Sequence, residues 1–154
     1  EQWRLRHPHV KFERIGLPPE GVSLDDTVAV SQILTILLDN AARASRDHVT
    51  LSCKLAERGD QIVFEVCDAG PGIPAALRGS LGAMPVDSTQ GGHGVGLYLA
   101  FSAAARLKGS IELADVSEIK PRGTRAVLRL PLAARKLSGA GRQGTTPSNT
   151  EKQA

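Results

Sequence analysis

Hydrophobic and polar positions alternate along five short stretches of this chain and recur at helical spacing along two longer ones. Val10-Lys11-Phe12-Glu13-Arg14-Ile15 alternates and predicts a strand, and Pro18-Pro19-Glu20-Gly21 marks a turn. Asp25-Asp26 then precedes a run in which Ile33, Leu34, Leu37, Leu38, Ala41 and Ala42 form one stripe of a helix. Asp26 suits the N-cap, and both acids suit the positive end of the helix dipole. From His48 to Glu57, Val49, Leu51, Cys53 and Leu55 alternate. A second strand, Gln61 to Asp68, places Ile62, Phe64 and Val66 on one face. Arg58-Gly59-Asp60 lies between them, so the pair predicts a hairpin. That turn also accounts for an Arg-Gly-Asp triplet otherwise readable as an adhesion motif.

Residues 74–92 break the pattern. Pro74, Gly79, Gly82, Pro85, Ser88, Thr89, Gln90, Gly91 and Gly92 dominate, the composition of a long functional loop or mobile lid. Helical spacing resumes from Gly92 and runs to Leu107, with Gly109 just past its end as a C-terminal stop. Ser110–Val116 and Thr124–Pro131 predict two more strands, the latter with Ala126, Leu128 and Leu130 on one face. Residues 1–132 thus read as one domain. Residues 133–154, rich in Arg, Lys, Gly, Ser, Thr and Gln, read as a flexible tail.

Composition narrows the class. A length of 154 residues with 41% hydrophobic content suits one globular domain. With aromatics at 3%, Leu, Val, Ile and Ala must build its core. The net charge of +3 is small and scattered, which argues against a nucleic-acid partner. Cys53 and Cys67 sit in strands and read as small buried residues rather than a disulfide or a metal pair. No apolar run reaches membrane-spanning length and no signal peptide opens the chain, so no membrane contact by this fragment is expected. The chain begins at Glu1 without Met and reads as part of something longer. Trp3 suits the edge of the core or the face of an upstream segment.

Three stretches carry candidate chemistry. Asp68 shares the apolar face of its strand, and Asp68-Ala69-Gly70-Pro71-Gly72-Ile73 follows it with two residues that lack Cβ atoms. A carboxylate at the mouth of an apolar surface needs hydrogen-bond donors. An aromatic base with an exocyclic amino group supplies them; a simple strand-end Asp before a Gly/Pro turn is the plainer alternative. Asn40 sits in mid-helix, where Asn is disfavoured, and Arg43 shares its face. Either both face solvent or both serve a ligand. Gly92-His93-Gly94-Val95-Gly96-Leu97 opens a helix, where free N–H groups and the dipole favour phosphate. It is neither the dinucleotide fingerprint, because Leu97 stands at the third glycine position, nor a P-loop. His93 reads as a phosphate-side donor or a bystander.

In this order and spacing, the three stretches resemble the ATP-binding domain of sensor histidine kinases, within the GHKL (Bergerat) superfamily that includes gyrase, Hsp90 and MutL. The resemblance covers about residues 10–131. It implies an α/β sandwich (α+β): a mixed, mostly antiparallel sheet with helices on one face and a nucleotide beneath a lid. ATP and Mg²⁺ are the implied cofactors. Asn40, within Leu37-Leu38-Asp39-Asn40-Ala41, matches the Mg²⁺-binding Asn, and Arg43 a basic position facing the phosphates. Asp68 matches the acceptor of the adenine amino group, with Gly70, Gly72 and Ile73 lining the base. Gly92, His93, Gly94, Val95, Gly96 and Leu97 match the phosphate-wrapping glycine box, and Thr124 a late position near the adenine.

Some positions depart from the family pattern. Ile36 replaces the usual polar residue four before Asn40, a Glu that activates water in the ATPase branch. That argues against intrinsic hydrolysis and allows weak nucleotide binding. Leu81 and Met84 stand where a Phe-rich lid segment is usual. His7, His9, His48 and His93 all lack the phosphoacceptor context. The implied function is a kinase catalytic domain that donates the γ-phosphoryl group to a histidine on a dimerisation domain outside this chain, with a response regulator downstream. The full-length protein would be a homodimer, with this domain cytoplasmic and the whole at the inner membrane. A nucleotide-sensing interaction module and an anti-sigma-type serine kinase are the alternatives. The Leu-Asp-Asn-Ala-Ala-Arg-Ala-Ser run is also similar to redox-responsive kinases of the RegB/PrrB type.

Overall fold

The structure, a computed structural model, describes residues 2–16, 19–45, 47–74, 79, 93–116 and 123–132. In chain order the elements are α1 (Gln2–Arg6), β1 (Lys11–Ile15), α2 (Thr27–Ala44), β2 (His48–Leu55), β3 (Gln61–Asp68), α3 (His93–Arg106), β4 (Ser110–Asp115) and β5 (Thr124–Pro131). All five expected strands form, within two residues of their expected ends. The strands make one sheet in the order β1-β2-β3-β5-β4. Only β1 and β2 run parallel. The expected mixed, mostly antiparallel sheet is therefore present, and β2 and β3 form the expected hairpin.

The register aligns one apolar face across the sheet. Leu51 pairs with Val66, Cys53 with Phe64 and Leu55 with Ile62. Ile62, Phe64 and Val66 in turn pair with Leu130, Leu128 and Ala126. Ile111 and Leu113 of β4 extend the row. Because side chains alternate, all of these point the same way. Onto them pack Val30, Ile33, Leu37, Leu38, Ala41 and Ala42 of α2, with Ala100 and Ala104 of α3. Small alanines let α3 lie close, which suits a core with few aromatics. On the opposite face Val63 and Val127 are also buried. Val63 stands opposite Arg129, and Val127 lies between Glu65 and Glu112, whose methylene stems flank it.

The helix ends follow from their caps. Asp26 is the N-cap of α2, and its Oδ1 accepts from Ala29 N at 2.8 Å. Ser45 closes α2: its N–H donates to the Ala41 carbonyl. Its buried Oγ accepts from Asp47 N at 3.3 Å and His48 N at 3.4 Å, turning the chain directly into β2. Gly109 lies just past the end of α3, as expected. The left-handed residue is Lys108, at φ 56°. Gly109 N donates to the Ala104 carbonyl and Lys108 N to the Ala105 carbonyl, both at the six-to-one and five-to-two spacings of a Schellman cap. Gly109 is there for space, since a Cβ would run into the Arg129 carbonyl and Leu130.

The helix α1 had no counterpart in the sequence pattern. Trp3 holds it: the ring is buried, 5.2 Å from Phe12 and 4.6 Å from His7. Its indole N–H donates to Asp39 Oδ1 at 2.7 Å, and His7 Nε2 lies 3.0 Å from the same oxygen. Trp3 therefore packs on the domain itself, against the residue preceding Asn40.

A lysine in the left-handed region costs about 1–2 kcal/mol relative to glycine, part of which the unfolded state returns. Lys108→Gly should raise the unfolding free energy by about 1 kcal/mol in a urea titration. A loss of stability would contradict this description of the α3 cap.

Candidate functional site

The end of β3 carries the first part of the site. Asp68 is its last residue and points to the helix-covered face, as Ile62, Phe64 and Val66 do. Its Oδ1 accepts from Gly70 N at 2.8 Å and from Thr124 N at 3.1 Å. Both donors fall on one oxygen, leaving Oδ2 as the acceptor for anything bound beside it. Burial pushes the Asp68 carboxyl above its ordinary range, against the lowering effect of those two N–H groups. Thr124 thus meets Asp68 through its backbone, not its hydroxyl. Beyond β5, Asp115 pairs with Thr124, and its Oδ1 accepts from Ile73 N at 3.1 Å.

The glycines of this turn are explained by close approach. A Cβ on Gly70 would lie 2.7 Å from the Ala44 carbonyl oxygen at the end of α2. Gly72 has φ 84°, and a Cβ there would lie 2.8 Å from Asp115 Oδ1. The turn is therefore pressed against both α2 and β4.

The second part is α2 itself. Asn40 is partly buried, one turn before the Gly70–Ala44 contact, and its buried Nδ2 has no hydrogen-bond partner among the described residues. Amide nitrogen and oxygen are interchangeable assignments, so one end of this amide is left for a ligand whichever way it is drawn. Arg43 is exposed three residues later. Ile36 is the contact to the third part: its Cγ2 lies 3.5 Å from where a Cβ on Gly96 would stand. Ile36 thus forms an apolar seat for the start of α3.

The third part, α3, begins at His93, inside the glycine run as expected. Leu97 packs against the core, while Val95 is exposed. Gly92 and the side chain of His93 lie outside the described residues, as do Leu81 and Met84 in the lid stretch. α2 thus brings the Asp68 turn and the α3 start to one end of the domain. A separate cleft of about 260 Å³, lined by Asp25, Asp26, Arg106 and Lys108 among others, opens at the other end of α2. It lies some 14 residues from Asn40, about 21 Å along the helix axis, and is no part of this site.

Asp115 was missed from the sequence. It sits at an alternating strand end with no motif around it, and only the β4–β5 register brings it to Gly72. The two thiols are separated by the sheet: Cys53 faces the helices and Cys67 the opposite side. Both are free. Burial and the neighbouring Glu65 push the Cys67 thiol up to about 11, which keeps it protonated at neutral pH.

Comparison with known proteins decides the family. Residues 25–134 match the histidine kinase-, DNA gyrase B-, and HSP90-like ATPase family. The chain belongs to that family. ATP is accordingly the ligand that membership of this ATPase family implies. Over 102 residues the chain is 32% identical to the sensor histidine kinase DpiB of Escherichia coli strain K12, covering 64% of this chain and 18% of that protein. Over 138 residues it is 32% identical to the nitrogen regulation protein NtrY of Azorhizobium caulinodans, covering 85% of this chain and 17% of that protein. It thus spans about a fifth of the length of such relatives. In fold it is similar to the mycobacterial sensor histidine kinase MprB, with a TM-score of 0.73 at 22% identity over 85% of this chain and 89% of that one. It is also similar to full-length ShkA, solved with AMPPNP, with a TM-score of 0.71 at 22% identity over 85% of this chain and 28% of that one.

The raised carboxyl of Asp68 gives a pH test within this ATPase-family domain. A group whose folded pKa lies above its unfolded value, here 3.8, stabilises below that value and loses the contribution as pH rises through the folded pKa. Asn keeps the acceptor for Gly70 and Thr124 but carries no charge. Asp68→Asn should therefore melt higher than the wild type at pH 7, with the advantage shrinking towards pH 3.5. An equal difference at both values in a thermal scan would contradict the burial-driven shift.

Proposed function

We propose that this domain binds Mg²⁺-ATP and is the catalytic domain of a two-component sensor histidine kinase. It would donate the γ-phosphoryl group to a histidine on a separate dimerisation domain, which would pass it to a response regulator. The observation that carries this is the convergence on α2: Gly70 at Ala44, the orphaned amide of Asn40, and Gly96 at Ile36.

Each residue has a role that its chemistry fits. Asp68 Oδ2 accepts from the exocyclic amino group of adenine. Guanine offers a carbonyl at the equivalent position, so the same oxygen discriminates against it. Gly70, Gly72 and Ile73 form the wall beside the base, and Thr124 holds Asp68 in place. His93, Gly94, Val95, Gly96 and Leu97 begin α3, whose first N–H groups would face the phosphates, and Gly92 would precede them in the same glycine box. Arg43 adds a positive charge on the same face of α2 as Asn40.

Asn40 fits a magnesium site. Among the described residues no group of three or more His, Cys, Asp or Glu could hold an ion alone. An ion here must share phosphate oxygens and water with one protein oxygen, which is how Mg²⁺ binds in nucleotide sites. When bound, Mg²⁺ supplies positive charge to the phosphate oxygens. The chain's own residues orient the nucleotide, and positioning with charge neutralisation is most of what phosphoryl transfer requires.

Ile36 favours transfer over hydrolysis. Packed towards Gly96, it offers no base to activate water, so the acceptor nucleophile must come from elsewhere. In the full-length protein this domain would be cytoplasmic, within a homodimer at the inner membrane. Residues 1–132 would be the catalytic unit and 133–154 a C-terminal tail.

Two experiments test the reading. Calorimetric titration with ATP should show Mg²⁺-dependent affinity in the wild type and its loss in Asn40→Ala; unchanged Mg²⁺ dependence would contradict the assignment. Addition of a dimerisation domain bearing its histidine should yield acid-labile label from γ-labelled ATP. Label on serine, or binding without any transfer, would favour a serine kinase or a nucleotide-sensing module instead.

A further inference from the structure

We propose that Asp115 is a positioning residue of the base pocket, fixing the far end of the turn that begins at Asp68. The inference rests on the nucleotide reading of this site and adds a residue to it.

Asp68, Thr124 and Asp115 form a row across β3, β5 and β4, all on the helix-covered face. Adjacent strands are about 4.8 Å apart, so the two carboxylates stand roughly 10 Å apart with β5 between them. The turn after Asp68 crosses that gap. Its near end is tied by Gly70 N to Asp68 Oδ1 at 2.8 Å, and its far end by Ile73 N to Asp115 Oδ1 at 3.1 Å. Gly72, between the ties, lies against Asp115 so closely that a Cβ would stand 2.8 Å from Oδ1. Asp115 thus works as both an acceptor and a wall.

Among the described residues, the other backbone hydrogen bond that ties the turn is at Gly70. Without the far tie, residues 71–73 would have to be ordered when the base arrives, and that ordering opposes binding. With it, the backbone beside the base is set in advance. Ile73 is also the point from which the chain leaves for residues 74–92, so Asp115 sets where that stretch begins. What the role requires of Asp115 is an accepting oxygen near Ile73 N. Asn supplies one at the same place; Ala does not.

The test uses the full chain and ADP in the absence of divalent cation, so that Asn40 contributes no metal. Asp115→Ala should weaken ADP binding roughly tenfold, the effect of losing one hydrogen bond to a charged acceptor. Asp115→Asn should stay within about threefold of the wild type, because its amide oxygen still accepts. Rescue by Asn separates positioning from a general loss of folding. In the wild type, the Ile73 amide should also exchange with solvent more slowly than an unstructured amide, which reads the bond even where a variant fails to fold. Wild-type affinity in a folded Asp115→Ala, equal losses in both variants, or an unprotected Ile73 amide would each overturn the inference. A wild-type chain that does not bind ADP would instead overturn the nucleotide reading, and this inference with it.

Discussion

A single carboxylate oxygen, Oδ1 of Asp68, receives N–H groups from Gly70 and from Thr124, 56 residues away. This joins the turn after β3 to the start of β5. The charge sits on a partly buried strand end, and burial opposes its ionisation. Two backbone donors offset only part of that cost. In the proposed function, the amino group of a planar base would donate to the other oxygen, Oδ2.

The helix α2 converts that local arrangement into a three-part site. Its length is set by Asp26 at one end and Ser45 at the other, and its apolar stripe anchors it on β2 and β3. Near its C-terminal end it meets the turn after β3 at the Ala44 backbone. A helical stretch earlier, Ile36 supports the first turn of α3. Asn40 lies between the two contacts with a buried amide nitrogen unpaired among the described residues. An orphaned polar group of this kind is costly in a domain that never binds anything. Its position between a base turn and a helix N-terminus is what a nucleotide spanning the two would require. Asp39, one residue earlier, is held by Trp3 and His7, so this neighbour of Asn40 anchors α1.

Much of this was legible because the governing rules are local. Period-two alternation located β2, β3 and β5, the 3.6-residue stripe located α2, and Asp26 announced its start. The helix-facing orientation of Asp68 followed from Ile62, Phe64 and Val66 alone. What escaped depends on register and distant partners. Nothing near Asp115 marks it; pairing of β4 with β5 brings it to Gly72. The five residues of α1 carry too short a pattern, and they form because Trp3 reaches Asp39, 36 positions away. Gly109 marked the end of α3, but the left-handed turn of Lys108 and the room Gly109 yields to β5 depend on the packed strand. Val63 and Val127 are covered by long neighbours on the opposite face of the sheet.

Recognition of adenine by Asp68 is the claim on which the function rests. It is tested most directly by a crystal structure of the chain with a non-hydrolysable ATP analogue and Mg²⁺. The base amino group should lie about 2.9 Å from Asp68 Oδ2, with Oδ1 still bound to Gly70 and Thr124. A base lodged elsewhere, or Oδ2 facing only solvent with nucleotide present, would contradict it.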